Sequence, residues 1–375
     1  MKFVSRIIAG SLFFGLMLVY SGCAKSDAGI DTSMEEATVM PESISRKSSY
    51  EGKSVNDKSK YAHVKVNNTI SDIVKHPAFE GFGQFILPLT RGHYDENMQL
   101  NHVSSLLPYH NNVDPVVVVD TINYMIDKVQ DGDKIFYPFY TAQQVQVDPS
   151  KKSTGLFFFK GEPRAPFAVV CPGGGFSYVG SVHEGFSYAI TLSQKGYNAF
   201  VIQYRVGSEK AACEDLAAAI SYIFRNAELL NVATEDYSVW GSSAGARMAA
   251  NIGSYGPSGF GYYEFPKPST VVMAYTGHST YTKDDPPTFV AVGENDQIAN
   301  PAVMKRRANV LREAGVAVEF HQYPNIGHGF GLGIGTTAEG WLEAAVQFGE
   351  EHMGSNNFRR PSDSMKRENN GRFSK

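Results

Sequence analysis

The stretch Tyr237-Ser238-Val239-Trp240-Gly241-Ser242-Ser243-Ala244-Gly245-Ala246-Arg247-Met248-Ala249-Ala250 decides how this chain is read. Its first four residues form a short run suited to a strand. Its last seven, four of them alanine, suit a helix. Only a sharp turn fits between the two. A Gly-x-Ser-x-Gly pentapeptide is a weak signal in a chain with 36 glycines. Between a strand and a helix it acquires a mechanical sense. The central serine is forced into a strained backbone that lifts its Oγ above the sheet, and the flanking glycines let strand and helix approach. Ser243 is therefore the candidate nucleophile, with the N-terminus of the helix aimed at any negative charge that develops beside it. Ser242, at the variable position, is expected to hydrogen-bond locally.

Outward from this turn, from residue 155 on, short apolar runs alternate with amphipathic segments. That is the pattern of a mostly parallel sheet wrapped by helices. Strands are expected at 155–159, 167–171, 199–204, 237–240, 270–275, 288–292 and 316–323, and helices at 184–195, 211–230, 244–255, 301–314 and 337–352. In the second of these helices Leu216, Ile220, Ile223 and Phe224 share one face. The order β-β-α-β-α-β-α-β-β-α-β-α describes an α/β domain with a doubly wound, mostly parallel sheet over 154–353.

Three further clusters fall at the C-terminal ends of expected strands, the edge where open α/β sheets bind ligands. Pro172-Gly173-Gly174-Gly175-Phe176 follows the strand at 167–171. A plain flexible turn would account for it, but backbone amides unobstructed by a Cβ also suit an oxyanion. The donors expected are Gly174 and Gly175, joined by Ala244. Gly293-Glu294-Asn295-Asp296 follows the strand at 288–292 and offers an acid. Asp296 is favoured over Glu294, which falls within the turn. Gly327-His328-Gly329-Phe330 offers the base. His278 and His321 read as ordinary residues, the latter turned away from the loop by strand alternation, and His183 lies near the glycine loop without assigned chemistry. The chain order serine, acid, histidine is one of the known orders of a catalytic triad.

With these residues in view, 155–352 resembles the esterase/lipase branch of the α/β hydrolases, near bacterial acetyl-, feruloyl- and xylan-esterase-like members. The resemblance is carried by Pro172 to Phe176, Gln203-Tyr204-Arg205, Asp215, Gly241 to Gly245, Gly293-x-x-Asp296 and Gly327 to Phe330. It implies cleavage of a carboxylic ester through an acyl-enzyme on Ser243, with no cofactor. Phe176 and Tyr178 would wall the acyl pocket, and a short acyl group on a carbohydrate alcohol is the substrate expected by this analogy. Two positions depart from the pattern. Pro172 stands where many relatives carry His, and Arg247, expected to pair within the core, stands where many carry His or Leu. A serine peptidase of the prolyl-oligopeptidase type shares the triad order but brings a propeller, and no repeat of that period is visible here. A non-catalytic surface binding protein that kept the fold is the other alternative.

Composition bounds the rest. The 375 residues carry a net charge of −4, with 42% hydrophobic and 19% charged residues, and no basic face that would suggest nucleic acid. Cys171 and Cys213 are expected to be buried and unpaired, outside any metal-binding spacing, so no metal is expected. Residues 61–153, rich in Pro, His, Asn and aromatics, read as an N-terminal extension of unknown role. It contains one clear helix at 116–129, opened by Asp114-Pro115. Residues 354–375 read as a polar tail.

The N-terminus has a cationic start (Lys2, Arg6), an apolar run over 7–20 and the small-residue site Ser21-Gly22-Cys23, which together suit an export signal over 1–22. A plain secretory signal is one reading. The other is a lipoprotein signal, which the stretch resembles despite Tyr20: Cys23 would be acylated, 23–60 would be a polar tether, and the chain would be anchored to a cell-envelope membrane after crossing the inner one. Cys23→Ser should then move the protein from the membrane to the soluble envelope fraction; a variant that stays membrane-bound excludes Cys23 as the anchor.

Overall fold

The computed structural model describes residues 60–89 and 94–354. The stretches expected to be an export signal and a tether, with Cys23, up to residue 59, and the expected tail from 355, lie outside the described residues.

Among the described residues the strands are β1 (Phe136–Tyr137), β2 (Gly155–Phe159), β3 (Phe167–Cys171), β4 (Asn198–Gln203), β5 (Tyr237–Ser242), β6 (Thr270–Ala274), β7 (Thr288–Gly293) and β8 (Val318–Tyr323). The helices are α1 (Ile70–Val74), α2 (Pro115–Gln130), α3 (Ala142–Val147), α4 (Phe186–Gln194), α5 (Glu209–Arg225), α6 (Ala227–Leu230), α7 (Ala244–Tyr255), α8 (Pro301–Glu313) and α9 (Trp341–His352). The strands form one sheet in the order β1-β2-β4-β3-β5-β6-β7-β8. β2 is antiparallel to both its neighbours, and β4 through β8 with β3 run parallel. The ends of β3, β5, β7 and β8 therefore open on one rim.

The central strands are buried on both faces, and their side chains alternate between two apolar layers. Phe157, Phe159, Val170, Val201, Trp240, Val272 and Phe289 point to one layer. Phe158, Phe167, Val169, Phe200, Val239, Met273 and Val290 point to the other, against α5 and α7. The first layer is closed by α4, α9 and the N-terminal segment, whose Val64, Ile73, Phe79, Leu100, Ile122 and Met125 belong to the same cluster. α2 contributes because Val118, Ile122, Met125 and Ile126 fall on one face and are fully buried. Each such side chain stabilises the fold by about 1.5–3 kcal/mol. Asp114 caps it, accepting from Val116 N–H at 2.8 Å, with Pro115 in the first turn.

Several element ends differ from the expectation, each for a local reason. The helix expected over 211–230 breaks at Asn226, whose side chain donates to Tyr222 O at 2.8 Å and competes with the backbone ladder. The helix expected from 337 begins at Trp341, because Gly340 sits at φ 90°. The helix expected from 184 begins at Phe186, after a wide π-turn over Ser181–Gly185. β1 has two residues and carries no periodic signal. Cys171 and Cys213 are both buried and free. Burial drives the Cys171 thiol well up, and burial with the nearby Glu209 carboxylate raises Cys213 to about 12, so neither is a thiolate near neutrality.

Asp215 of α5 is completely buried and accepts from Arg205 N–H at 2.7 Å, Arg205 Nε at 2.9 Å and Tyr140 O–H at 2.6 Å. It ties the exit of β4 to α5 and to the segment before α3. Asp215→Ala would remove the buried acceptor of Arg205 N–H and Tyr140 O–H and leave the guanidinium with the part-exposed Asp148 and Glu214, and the expected loss is about 3 kcal/mol, measured as a lower urea midpoint at unchanged slope. A loss under about 1 kcal/mol would mean that the pair is not structural.

Candidate active site

β5 runs directly into α7, and the turn between them has almost no room. A Cβ on Gly245 would stand 1.8 Å from Cys171 O, and one on Gly241 2.3 Å from Gly245 O. Only glycine lets helix and strand meet here. Ser243, between them, is held at φ 52°, ψ −115°, outside the regions an L residue prefers. Its N–H donates to Ala274 O of β6 at 2.9 Å, which leaves its side chain half-buried at the sheet rim.

Two distant loops reach this hydroxyl. His328 Nε2 lies 2.8 Å from Ser243 Oγ, and His328 Nδ1 lies 2.7 Å from Asp296 Oδ2. Asp296 is fixed in turn, because its Oδ1 accepts from Ile298 N–H at 2.8 Å and Ala299 N–H at 2.7 Å. Both side chains are almost wholly buried, so the pair interacts in a medium of low polarity. Asn111 Nδ2 donates to His328 O at 2.7 Å. Glu294, the rival acid, is exposed and lies 3.4 Å from Asn325 N; it makes no contact with His328 among the described residues.

Beside the hydroxyl lies the loop over 172–176. Gly174 and Gly175 have positive φ, and no acceptor among the described residues takes their amides or that of Ala244. Gly173 differs: its N–H donates to Glu184 Oε2 at 2.6 Å. The structure thus gathers a hydroxyl, an imidazole, a carboxylate and unengaged amides at one rim.

Several expectations for neighbouring residues need correction. Tyr178 does not line the pocket with Phe176. It is buried beneath the glycine loop, its hydroxyl 2.9 Å from His110 Nδ1 and accepting from Tyr109 N–H at 3.2 Å. Phe176 is half-buried, its ring edge-on to Tyr204. The exposed aromatic at the loop is Tyr109, whose ring lies against Gly175. Ser242 Oγ donates to the Tyr188 hydroxyl on α4 at 3.3 Å rather than bonding locally. Arg247 pairs with Glu209 at 2.6 Å, on the surface and not in the core. His183 Nε2 donates to Gly329 O at 3.1 Å. His278 contacts Thr280 Oγ1 at 2.8 Å, and His321 pairs with Glu319.

The residues missed from sequence are Tyr109, His110 and Asn111, together with Glu184 and Tyr275. Glu184 is fully buried. Burial works to raise its pKa, but the charge and hydrogen bond of His110, aided by His183 and Tyr275, outweigh burial and hold it at about 2. Glu184 sits in the mixed stretch Gly180-Ser181-Val182-His183-Glu184-Gly185, where no local pattern separates it from a surface carboxylate.

Sheet order and connections define the chain as a protein of the α/β-hydrolase fold. Its residues 159–258, which include the glycine loop and the Ser243 turn, match the BD-FAE family. Among characterised proteins, an acetylxylan esterase of Xylanibacter ruminicola is 22% identical over 213 residues, 48% of this chain and 44% of its own. An endo-1,4-beta-xylanase B of Butyrivibrio fibrisolvens is 25% identical over 214 residues, 46% and 34% respectively. The chain spans less than half the length of either relative. Similar solved structures include esterase 2 of Thermogutta terrifontis, 19% identical, covering 55% of this chain and 91% of that one with a TM-score of 0.48. A sugar hydrolase of Lactococcus lactis is also 19% identical, with coverages of 53% and 94% and a TM-score of 0.47.

Two histidines, the half-buried His183 and the buried His278, set an acid limit on the fold. Burial and the charge of His110 lower His183 to about 4, and burial with the charges of Arg307 and Arg247 lowers His278 to about 4. The unfolded chain takes these protons near 6.5, the folded one only near 4, so the unfolded state binds more protons between those values and stability falls as pH drops through them. Glu184 acts in a lower window, its contribution disappearing below about 4.5 as pH approaches 2. The urea midpoint should therefore fall from pH 7 to 4.5, and His278→Gln should flatten that slope; an identical slope in the variant would exclude His278 as a source.

Proposed function

We propose that the protein is a serine carboxylic-ester hydrolase working through an acyl-enzyme. The observation that carries this reading is the unbroken chain Ser243 Oγ, His328 Nε2, His328 Nδ1, Asp296 Oδ2, with contacts of 2.8 and 2.7 Å, at a strained turn beside free amides. The match to the BD-FAE family and the likeness to an acetylxylan esterase support it.

In this mechanism Ser243 Oγ attacks the ester carbonyl carbon as its proton passes to His328 Nε2. Asp296 keeps the imidazole in the Nδ1–H tautomer and stabilises the imidazolium. The carbonyl oxygen, now negative, is received by the amides of Gly174, Gly175 and Ala244. Each such donor is worth about 3–4 kcal/mol in the transition state. His328 then returns the proton to the departing alcohol, leaving Ser243 acylated. Water, deprotonated by the same imidazole, attacks the acyl carbon; the acid leaves and Ser243 regains its proton.

The substrate proposed is a short, acetyl-like ester of a carbohydrate alcohol. Phe176 and Tyr109 flank the glycine loop where the bound ester would lie, and the acetylxylan esterase relative favours the same class. Anchoring through Cys23 would set the enzyme on a cell-envelope membrane.

Purified protein should cleave nitrophenyl acetate and acetylated xylo-oligosaccharides. Ser243→Ala should lower kcat by about 10⁴-fold or more while leaving the urea midpoint close to that of the parent. Undiminished ester cleavage in that variant would remove the nucleophile assignment, and an inert parent chain would favour the reading of a binding protein.

A further inference from the structure

Glu184 places a negative charge where charge is costly: its side chain is fully buried, on the π-turn before α4. Both oxygens are committed. Oε2 accepts from Gly173 N–H at 2.6 Å, while Oε1 accepts from Tyr275 O–H at 2.8 Å and lies 3.0 Å from His110 Nε2. This grip acts on the peptide just ahead of the free amides. Gly173 O accepts from Gly180 N–H at 2.9 Å, so both sides of Gly173 are fixed. In a planar trans peptide C=O and N–H point in opposite directions, so tying Gly173 O inward turns the Gly174 N–H outward. Gly173 also packs on the elbow, since a Cβ there would stand 2.9 Å from Ser243 Cβ.

The same carboxylate reaches the His328 side of the site. The Tyr275 ring meets His328 edge-on, centroids 5.2 Å apart. The backbone next to His110 is pressed against the following residue, where a Cβ on Gly329 would lie 2.7 Å from His110 Cα. Asn111 bonds Gly329 O through its N–H at 3.0 Å and His328 O through its side chain at 2.7 Å. His110 itself is oriented by Tyr178 O–H. A bare carboxylate behind an oxyanion cradle would oppose the charge the cradle receives. His110 and Tyr275 answer that charge.

We propose that Glu184 is the positioning residue of the amide cradle, and that Tyr109 to Asn111, which supply its partner His110, are a built part of the active site. The proposal rests on the ester-hydrolysis reading and adds to it a second carboxylate that never touches substrate. It requires that the loss of Glu184 weaken transition-state binding selectively.

The test uses the full chain, with Glu184→Gln as the isosteric neutral variant. Removing one oxyanion donor costs about 10²–10³ in rate, so misaligning the cradle should lower kcat for nitrophenyl acetate about 10²-fold, with KM moving less than about threefold. Affinity for a trifluoromethyl ketone, whose tetrahedral adduct needs the cradle, should fall by a similar factor, while inhibition by free acetate stays unchanged. A merely structural carboxylate would shift the thermal midpoint without splitting these two ligands. A folded Glu184→Gln protein with parental kcat and ketone affinity overturns the proposal and leaves the hydrolase reading intact; an inert parent chain removes the hydrolase reading first. Where Glu184→Gln does not fold, Tyr275→Phe and His110→Gln carry the test. A fall in kcat at constant KM in either supports the proposal, and parental kcat in both overturns it.

Discussion

The contact between α7 and the strands beneath it is the constraint on which the site depends. Ser243 is held at a backbone angle that costs on the order of 1–3 kcal/mol, and such a conformation persists only where its surroundings leave no alternative. The surroundings are visible. Gly245 presses on the carbonyl of Cys171, Gly241 on that of Gly245, and the Ser243 amide is tied to Ala274. β3, β5 and β6 all contact α7, so relaxing the elbow would require moving three central strands whose side chains fill both apolar layers. Burial of the sheet is thus the source of free energy that offsets the strain.

The buried acids divide by partner. Asp215 and Asp285 face Arg205 and Arg307, and both pairs brace loops that leave the sheet. Asp296 and Glu184 face His328 and His110 at the rim. A guanidinium holds a carboxylate but does not release a proton under physiological conditions. An imidazole holds it and can also exchange one. The arginine pairs therefore suit bracing, and an imidazole suits a partner that passes a proton, the role proposed for His328. His110 has the same partner chemistry without access to the hydroxyl, and its Nδ1 is occupied by Tyr178, which suits a fixed orientation and not turnover.

The sequence carried the parts of this arrangement that are local. β2, β3 and α7 begin and end at the residues their apolar runs and small-residue run suggest. The strand ends carrying Asp296 and His328 follow from the same periodicity. Helix ends were less legible, because they depend on single side-chain bonds such as Asn226 to Tyr222 or on one left-handed residue such as Gly340. Least legible were contacts between distant segments. Asn111 and His328 are 217 positions apart, and nothing in the pattern around Asn111 separates it from other polar loop residues. Tyr178 read as a pocket residue from proximity to the glycine loop, yet the positive φ of Gly174, Gly175 and Phe176 turns the chain so that Tyr109 takes the exposed position and Tyr178 goes under.

The N-terminal segment has two roles that share the same residues, and this links core to chemistry. Its apolar side chains, from Val64 through Ile135, complete the layer over Phe157, Phe186 and Trp341. Its polar turn at 109–111 grips the loops of Gly175 and His328. A sheet with helices on only part of one face would leave that layer wet, at roughly 25 cal/mol for each Å² exposed. The hydrophobic contact therefore holds Tyr109 to Asn111 in register with the rim, and small errors in that packing would be passed to the loops that meet Ser243. A site assembled from 172–176, 243, 296 and 328 alone would have its hydroxyl and imidazole, but nothing to fix the angle between the glycine loop and His328. That angle is set by residues more than sixty positions upstream of the glycine loop, through a buried carboxylate and one amide side chain.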